Sequence, residues 1–290
     1  MEVGPLVIGE PVRILVVDDF VLVELALAQV IQGTPHTLVG VRDPRSLPEA
    51  LGEAQSEPFD LALVDINFGP GVPTGLAAMR ILQDLSPETK IVIESTDEER
   101  NRLLFLLASF AFFEPLGLMS KASSSEEMRT LIDAIDRGDL AGPGLLRPPG
   151  TLSAALSPVQ RLVRNVGILD ELIRNGTDLI LWRAVVRFDK RGEVARASHV
   201  DERTVDRFIA AKSHVVDKIQ AEFPEDASMH LVPSYQDEPD EQRRHSNLVR
   251  LARFAQTHSH FFADEAIDEL FAVRWQSARA GGPRQRRTWH

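Results

Sequence analysis

Short apolar runs alternate with amphipathic stretches along the first half of the chain. The clearest run covers residues 61–67 (LALVDIN), where apolar residues lead to Asp65, and a Gly- and Pro-rich stretch at 68–73 ends it. An apolar run with helical patterns on both sides is typical of a parallel strand that is covered on both faces. Four further runs have this character, at residues 13–19, 37–41, 90–95 and 117–121.

Five stretches with helical spacing of their apolar residues separate or follow these strands. In the first stretch Val23, Leu27 and Val30 recur at helical spacing, and Gly33 favours its end. The expected helices span residues 20–31, 46–53, 74–85, 98–112 and 125–138. Strands that alternate with helices predict a doubly wound α/β fold around a five-stranded parallel sheet.

Polar side chains stand at the ends of four of these strands. They are Asp18 and Asp19 after the first strand, Asp65, Ser95 and Lys121. In open parallel sheets, ligands bind outside the carboxyl ends of the strands. Three carboxylates gathered there would repel one another, and Mg²⁺, which prefers oxygen ligands, would relieve this repulsion. A carboxylate can also be the covalent acceptor of a phosphoryl group, and a lysine can pair with a phosphoryl oxygen.

This combination resembles the receiver domain of bacterial response regulators, over residues 11–138. The matching pieces are Val16-Val17-Asp18-Asp19, Leu63-Val64-Asp65 with Pro70 and Gly75 after it, Ile91-Val92-Ile93-Glu94-Ser95, and Ser120-Lys121. The resemblance implies a flavodoxin-like sheet. It also implies a signalling protein that is no enzyme beyond catalysing its own phosphoryl transfer and dephosphorylation.

The resemblance further implies a role for each polar residue at the sheet edge. Asp65 would be phosphorylated by a sensor histidine kinase. Ser95 would be the switch hydroxyl, and Lys121 would be the lysine that faces the phosphate. The implied Mg²⁺ ligands are Asp18, Asp19, Asp65 and the backbone carbonyl of Asn67.

The stretch between Ser95 and Lys121 departs from the receiver pattern. It is longer than usual, and Leu118 stands where an aromatic residue is common. It also carries four phenylalanines, namely Phe105, Phe110, Phe112 and Phe113. We expect these rings to belong to the core, and an exposed apolar docking face is the alternative.

Charge divides the chain into two unlike halves. Residues 1–150 contain 11 Lys and Arg against 23 Asp and Glu, a net charge of −12, whereas residues 151–290 have a net charge of +1. The acidic half is unsuited to nucleic acid, while the second half permits it. The absence of cysteine excludes disulfides, zinc thiolate sites and cysteine nucleophiles. Residues 1–11 carry no basic run, and no run of 18 apolar residues occurs, so we expect a cytoplasmic protein without membrane contact.

Residues 139–151 are rich in Pro and Gly and predict a linker to a helical output domain over residues 152–290. The first helix of that domain is expected to begin at Ser157, a favourable N-cap, and to end at Arg174. A second is expected over residues 178–188. The first helix has an apolar stripe: Val159, Leu162, Val166, Leu169 and Ile173. We expect this stripe to pack inside its own domain, and a homodimer seam is the alternative.

A helix–turn–helix pattern follows at about residues 190–218. A short helix would bury Val194, and a tight turn would lie near residues 198–200. A second helix would begin at Asp201 or Glu202.

Together with the segment Leu156-Ser157-Pro158, this pattern resembles the DNA-binding domain of NarL/LuxR-type regulators over residues 152–220. The resemblance implies that the second helix faces the DNA major groove or its phosphates. The implied contacts are Arg203, Thr204, Arg207 and Lys212. Asp201, Glu202 and Asp206 oppose such contacts because anions repel phosphate, and a solvated helix face is the alternative.

Residues 224–290 lie beyond that resemblance. Amphipathic helices and a basic tail are expected after an acidic loop, at residues 242–258, 263–279 and 281–290. The basic face of the first of these helices would comprise Arg243, Arg244, Arg250 and Arg253. His258 and His260 lie near Asp264, and we expect surface histidines there rather than a metal site.

Two functions fit these patterns. The first is a two-component transcriptional regulator in which phosphorylation of Asp65 controls DNA binding by the helical half. The second is a response regulator whose helical half binds a protein partner, which the near-neutral charge of that half favours. An output enzyme is not favoured, because no nucleophile–base pair or phosphate loop is recognisable after residue 150.

Overall fold

The computed structural model describes residues 11–53, 57–69, 71–96, 102–136, 158–224 and 240–279. These residues form two compact units, one built on a β-sheet and one of helices. The expected linker at 139–151, most of the acidic loop and the basic tail lie outside the described residues. Within the described ranges no helix combines the length and the apolar character that crossing a membrane requires.

The first unit contains a five-stranded parallel sheet. Its strands are β1 (Arg13–Val17), β2 (Thr37–Val41), β3 (Leu61–Asp65), β4 (Lys90–Ser95) and β5 (Gly117–Ser120). Their order across the sheet is β2-β1-β3-β4-β5, and every neighbouring pair is parallel. This is the order of the flavodoxin-like doubly wound fold, which confirms the predicted fold class. The order switches direction between β1 and β3, the point where such sheets bind ligands.

Five helices accompany these strands along the chain. They are α1 (Val21–Val30), α2 (Leu47–Glu53), α3 (Gly75–Leu85), α4 (Arg102–Phe112) and α5 (Ser125–Asp136). Helices α1 and α5 share one apolar core with alternate residues of the strands: Ile14, Val16, Leu27, Leu61, Leu63, Val92, Met119, Leu131 and Ile132. The intervening strand residues, such as Leu15 and Val64, are also fully buried, so both faces of the sheet are covered.

Serine is favoured as an N-cap, and Ser124 and Ser46 stand near the starts of two of these helices. Ser124 forms a capping box with Glu127: the Ser124 amide donates to Glu127 Oε2 at 2.7 Å, and the Glu127 amide donates to Ser124 Oγ at 3.3 Å. Ser46 is not the cap of α2. A 3₁₀ turn at Pro44–Ser46 precedes that helix, and Asp43 caps the turn.

Helix α4 follows β4 along the chain but belongs to the helical unit. Its residues 103–110 are all buried, as expected for a helix that is apolar all round. Phe105 meets Phe261 edge to face at 5.4 Å between ring centroids, and Phe112 meets Phe271 in the same way. The sequence predicts a helix of the sheet domain here, and the structure differs because these rings pack with the second unit.

Helix α3 begins in close contact with the end of β3. A Cβ atom at Gly75 would clash with the carbonyl oxygen of Asp65 and would lie 2.8 Å from Ile66 Cα. The Gly75 amide donates to the carbonyl oxygen of Ile66 at 3.3 Å. Only glycine permits this approach, which places the first turn of α3 beside Asp65.

The second unit comprises α4 and most of the helices that follow residue 158. These are α6 (Pro158–Asn165), α7 (Ile168–Leu172), α8 (Gly176–Arg187), α9 (Arg191–Ala197), α10 (Glu202–Glu222), α11 (Asp240–Thr257), α12 (Ser259–Ala263) and α13 (Glu265–Arg279). The single helix expected up to Arg174 is wrong, because the chain breaks into α6 and α7 near Gly167. Leu162, Leu169 and Ile173 of its apolar stripe are buried within the chain.

Trp182 on α8 is the centre of the helical core. It is fully buried, and its ring stacks on Phe262 with 4.9 Å between centroids and 13° between planes. Phe208 and Phe254 meet the same ring at 5.0 Å and 5.6 Å. The Trp182 Nε1–H donates to the carbonyl oxygen of Leu172 at 2.9 Å, so the polar edge of the ring is also satisfied.

The turn between α9 and α10 lies where the sequence predicts it. His199 adopts a positive φ of 53°, and the Val200 amide donates to the Ala195 carbonyl at 3.1 Å. This is the Schellman pattern that ends many helices. Asp201 then caps α10 by accepting a hydrogen bond from the Thr204 amide at 2.7 Å.

Gly75→Ala should lower the free energy of unfolding by about 1–3 kcal/mol, because the end of β3 must move to admit a methyl group. The matched control is Gly52→Ala in α2, where the space around a Cβ is open among the described residues. Alanine has a higher helix propensity than glycine, so Gly52→Ala should raise the free energy of unfolding by up to about 1 kcal/mol. Urea unfolding measures both variants, and a Gly75→Ala protein as stable as the wild type would contradict the close approach.

Candidate functional site

Two of the strand-end aspartates meet around Lys121. Its Nζ lies 2.9 Å from Asp18 Oδ2 and 2.8 Å from Asp65 Oδ2. The side chains of the two aspartates are 1% and 0% exposed, and that of Lys121 is 17% exposed. Side chains from three separate strand ends thus form one charged cluster that is largely shielded from water.

Backbone amides orient the two buried carboxylates. Asp65 Oδ1 accepts a hydrogen bond from the Asn67 amide at 3.2 Å, and Asp18 Oδ1 accepts one from the Phe20 amide at 2.7 Å. In each case the donor lies two residues later, where the chain leaves its strand. The loops after β1 and β3 therefore hold one oxygen of each aspartate and leave the other toward Lys121.

The cluster raises the pKa values of both Asp65 and Lys121, for different reasons. Burial raises the pKa of Asp65 to about 7, although the nearby ammonium of Lys121 acts to lower it. Burial also acts to lower the pKa of Lys121, but Asp65 and Asp18 outweigh this effect and raise the pKa. Lys121 therefore stays charged throughout the physiological range.

The carboxylates of Asp18, Asp19 and Asp65 fit a divalent cation. One oxygen of each lies within 4.8 Å of the others. Asp19 is exposed, and its Oδ2 accepts a hydrogen bond from the Gly69 amide at 2.9 Å, which holds it beside the loop after β3. Hard oxygen donors with room for water suit Mg²⁺. The role of the Asn67 carbonyl as a further ligand stays a prediction.

Ser95 projects from the sheet face opposite the carboxylate cluster. It is fully buried at the end of β4, and its hydroxyl lies 3.5 Å from the carbonyl oxygen of Thr96. Side chains alternate between the two faces of a strand, and it is Glu94 that is in register with Asp65. The switch role of Ser95 stays a prediction.

Glu94 is a candidate that the sequence interpretation missed. Its side chain is fully buried, and burial raises its pKa to about 8. The charge of Asp18 adds to this rise, and Lys121 opposes it. The sequence signal that could have identified Glu94 is a carboxylate inside an otherwise apolar run of the strand.

Two of the residues expected to contact DNA are exposed on α10. Arg203 and Arg207 lie one helical turn apart and share a face of the helix. Thr204 is half-buried, and its amide already binds the N-cap residue Asp201. The helix therefore presents an exposed arginine pair next to the exposed carboxylate of Asp206.

The expectation that Lys212 faces DNA is wrong. Its side chain is 1% exposed, and its Nζ lies 2.6 Å from Asp178 Oδ2 and 2.7 Å from the carbonyl oxygen of Glu171. Burial lowers the pKa of Lys212, and Asp178 opposes this effect. The lysine joins α10 to α7 and α8 and belongs to the core of the helical unit.

Two other residues expected at the surface are also buried. Arg250 on α11 is 3% exposed and binds Asp217 and Gln220. His258 is fully buried, with its ring centroid 4.7 Å from that of Phe254. Helix α11 packs against both α8 and α10, and this packing encloses the side of α11 that carries Arg250.

No protein-family model matches the chain, and no curated protein matches it. Similar solved structures include the signal receiver domain of an HD domain-containing protein from Pseudomonas fluorescens Pf-5, at 20% identity over 48% of this chain and 94% of that chain, with a TM-score of 0.38. Chemotaxis response regulator CheY4 of Vibrio cholerae is 20% identical over 43% of this chain and 98% of its own, with a TM-score of 0.34.

RcsB from Salmonella enterica serovar Typhimurium, in a structure bound to promoter P1flhDC, is 13% identical over 72% of this chain and 93% of its own. Its TM-score is 0.40. The fold assignment rests on the strand order and connections of this chain itself.

Lys212→Ala should lower the free energy of unfolding by about 3–5 kcal/mol, because it leaves the carboxylate of Asp178 without its buried partner. The matched control is Lys218→Ala on the same helix. Lys218 binds Glu171 at 2.7 Å, but both side chains are 39% exposed, and such surface pairs contribute about 0–1 kcal/mol. Urea unfolding distinguishes the two, and equal losses would contradict the structural role of Lys212.

Proposed function

We propose that the protein is a cytoplasmic response regulator that a sensor histidine kinase phosphorylates on Asp65, and that its helical half controls transcription by binding DNA. The observation that carries the first part is the buried cluster of Asp18, Asp65 and Lys121 at the switch point of the sheet. A phosphoryl acceptor needs a nucleophilic carboxylate, a fixed positive charge and restricted access of water. The cluster combines all three.

Each residue of the cluster would have a separate role in phosphoryl transfer. A carboxylate oxygen of Asp65 forms the new bond to phosphorus, while the bond between phosphorus and the donor atom breaks and its electron pair leaves with the donor. Lys121, already 2.8 Å from Asp65, pairs with a phosphoryl oxygen. Asp18, Asp19, Asp65 and the Asn67 carbonyl would hold Mg²⁺, which would supply positive charge to neutralise the transferred group. Burial of Asp65 restricts hydrolysis of the acyl phosphate.

Helix α4 supports coupling between the two halves of the protein. It follows β4 along the chain and packs among the rings of the helical unit. A change at the end of β4, where Glu94 and Ser95 lie, therefore has a covalent route to that unit. Phosphorylation would shift the balance between two states of the receiver and so alter access or dimerisation of the helical half.

The outer face of α10 supports the DNA-binding part of the proposal. Arg203 and Arg207 are exposed on one face of a helix that follows a tight turn, and arginine can read guanine with two hydrogen bonds. Lys212 takes no part, because it is buried.

Treatment with a small phosphodonor and Mg²⁺ should add one phosphoryl group to the wild-type protein, and Asp65→Asn should abolish this labelling because asparagine lacks the nucleophilic carboxylate. Asp84→Asn, which changes an exposed carboxylate on α3, is the control and should be labelled like the wild type. Mass spectrometry of the intact protein and its peptides measures both. Labelling that persists in Asp65→Asn would place the site on another residue.

DNA binding should weaken steeply with added salt, because contacts to phosphates release counterions. Arg207→Ala should weaken binding and reduce the slope of log affinity against log salt by about 1. The control Arg253→Ala, which changes an exposed arginine on α11, should leave the slope unchanged. Fluorescence anisotropy on genomic DNA fragments measures the series, and indifference to both salt and Arg207→Ala would reject the DNA assignment.

A protein partner is the second candidate for the helical half. Arg191 binds Glu202 at 2.7 Å and Asp206 at 3.2 Å, so the start of α10 carries carboxylates already engaged by this chain's own arginine. These carboxylates oppose the approach of DNA phosphates, because like charges repel, and they favour a partner that is not nucleic acid. A complex that survives nuclease treatment, together with no DNA binding at low salt, would support this function instead.

A further inference from the structure

Glu94 lies in β4 directly beside the proposed phosphorylation site. It is in register with Asp65 on β3, and paired residues of neighbouring strands project from the same face of a sheet. Two residues earlier on each strand, Val92 and Leu63 belong to the apolar core on that face. Glu94 therefore stands where this core gives way to the charged cluster.

The carboxyl group of Glu94 is buried without a local partner. Its side chain is fully buried, and neither of its oxygens has a hydrogen-bond partner among the described residues. The charges that act on it belong to Asp18, Lys121 and Asp65. Lys121 is already paired with Asp18 and Asp65, so Glu94 is a third buried carboxyl group beside a single ammonium group. A buried polar group without a partner costs free energy, and a further cation at the cluster would offset that cost.

We propose that Glu94 is a positioning residue that raises the affinity of Asp18, Asp19 and Asp65 for a divalent cation. The inference rests on the proposed function, in which that cation is Mg²⁺. Lys121 stands between two of the ligand carboxylates, and its charge repels an entering cation. A cation at the cluster favours the ionised form of Glu94, and this carboxylate then counteracts the repulsion from inside the sheet, where charges interact more strongly than in water.

The rest of β4 supports a functional reason for this carboxyl group. Ile91, Val92 and Ile93 are all buried apolar residues, and an apolar side chain at position 94 would continue the pattern without an unpartnered group. Departures of this kind from the local pattern concentrate at functional sites.

Isothermal titration of Mg²⁺ and of Mn²⁺ into the full chain tests the inference. Glu94→Gln keeps the shape of the side chain and removes its ability to ionise, and it should weaken binding of both ions about 10–100-fold, the usual effect of residues that support metal ligands. Glu94→Asp restores the charge and should recover part of the affinity. The control Glu88→Gln removes an exposed charge before β4, at the opposite end of the strand, and should bind like the wild type.

Thermal unfolding with and without the cation separates this role from a purely structural one. Glu94→Gln should leave the cation-free Tm unchanged or raise it, because a buried unpartnered carboxyl group is lost. It should also reduce the rise in Tm that a saturating cation produces in the wild type. A residue that only fills space would leave the cation-induced rise in Tm intact. Glu94→Leu, which fits the apolar strand, repeats the test should Glu94→Gln fold poorly.

Each outcome decides a different question. Equal cation affinity in the wild type, Glu94→Gln and Glu94→Leu would overturn the role of Glu94 and leave the metal site at the three aspartates in place. A wild-type protein that binds neither ion would overturn both this inference and the metal-dependent part of the proposed function. Weaker binding in the Glu94 variants but not in Glu88→Gln would support the inference.

Discussion

The ion pairing of one lysine with two buried carboxylates is the interaction on which the carboxyl edge of the sheet depends. Asp18 and Asp65 come from β1 and β3, which are neighbours, and Lys121 reaches them from the end of β5 on the far side of β4. Two carboxylates enclosed at this edge without the lysine would be uncompensated charges in a region of low polarity. The pairing therefore stabilises the strand ends and places buried carboxylates, an ammonium group and a candidate metal site together.

The backbone around this cluster is as constrained as its charges. Gly75 lets α3 begin against the last residue of β3, and the amide of Asn67 holds one oxygen of Asp65. Glu94 adds a third buried carboxyl group on the same face. The result is a cluster with more carboxyl groups than ammonium groups, and this set of oxygen donors is what suits it to a divalent cation.

The helical unit is organised by packing of aromatic rings around Trp182 rather than by charge. Because of this packing, one side of α10 is buried and the other is exposed to solvent. Phe208 and Lys212 face inward, where the lysine satisfies Asp178, while Arg203 and Arg207 remain exposed. Helix α4 contributes further rings to the same unit. A segment that directly follows the sheet strand β4 in the sequence thus becomes part of the helical unit.

The sequence by itself determined the five strands, their alternation with helices, the polar residues at the strand ends and the turn before α10. These features depend on local periodicity and on backbone preferences over a few residues. Only the tertiary structure decided that Lys212, Arg250 and His258 are buried, that Glu94 adjoins Asp65, and that α4 packs with the helical unit. Each of these depends on which faces of distant elements meet, and a pattern along the chain shows that a face is amphipathic without showing what will cover it.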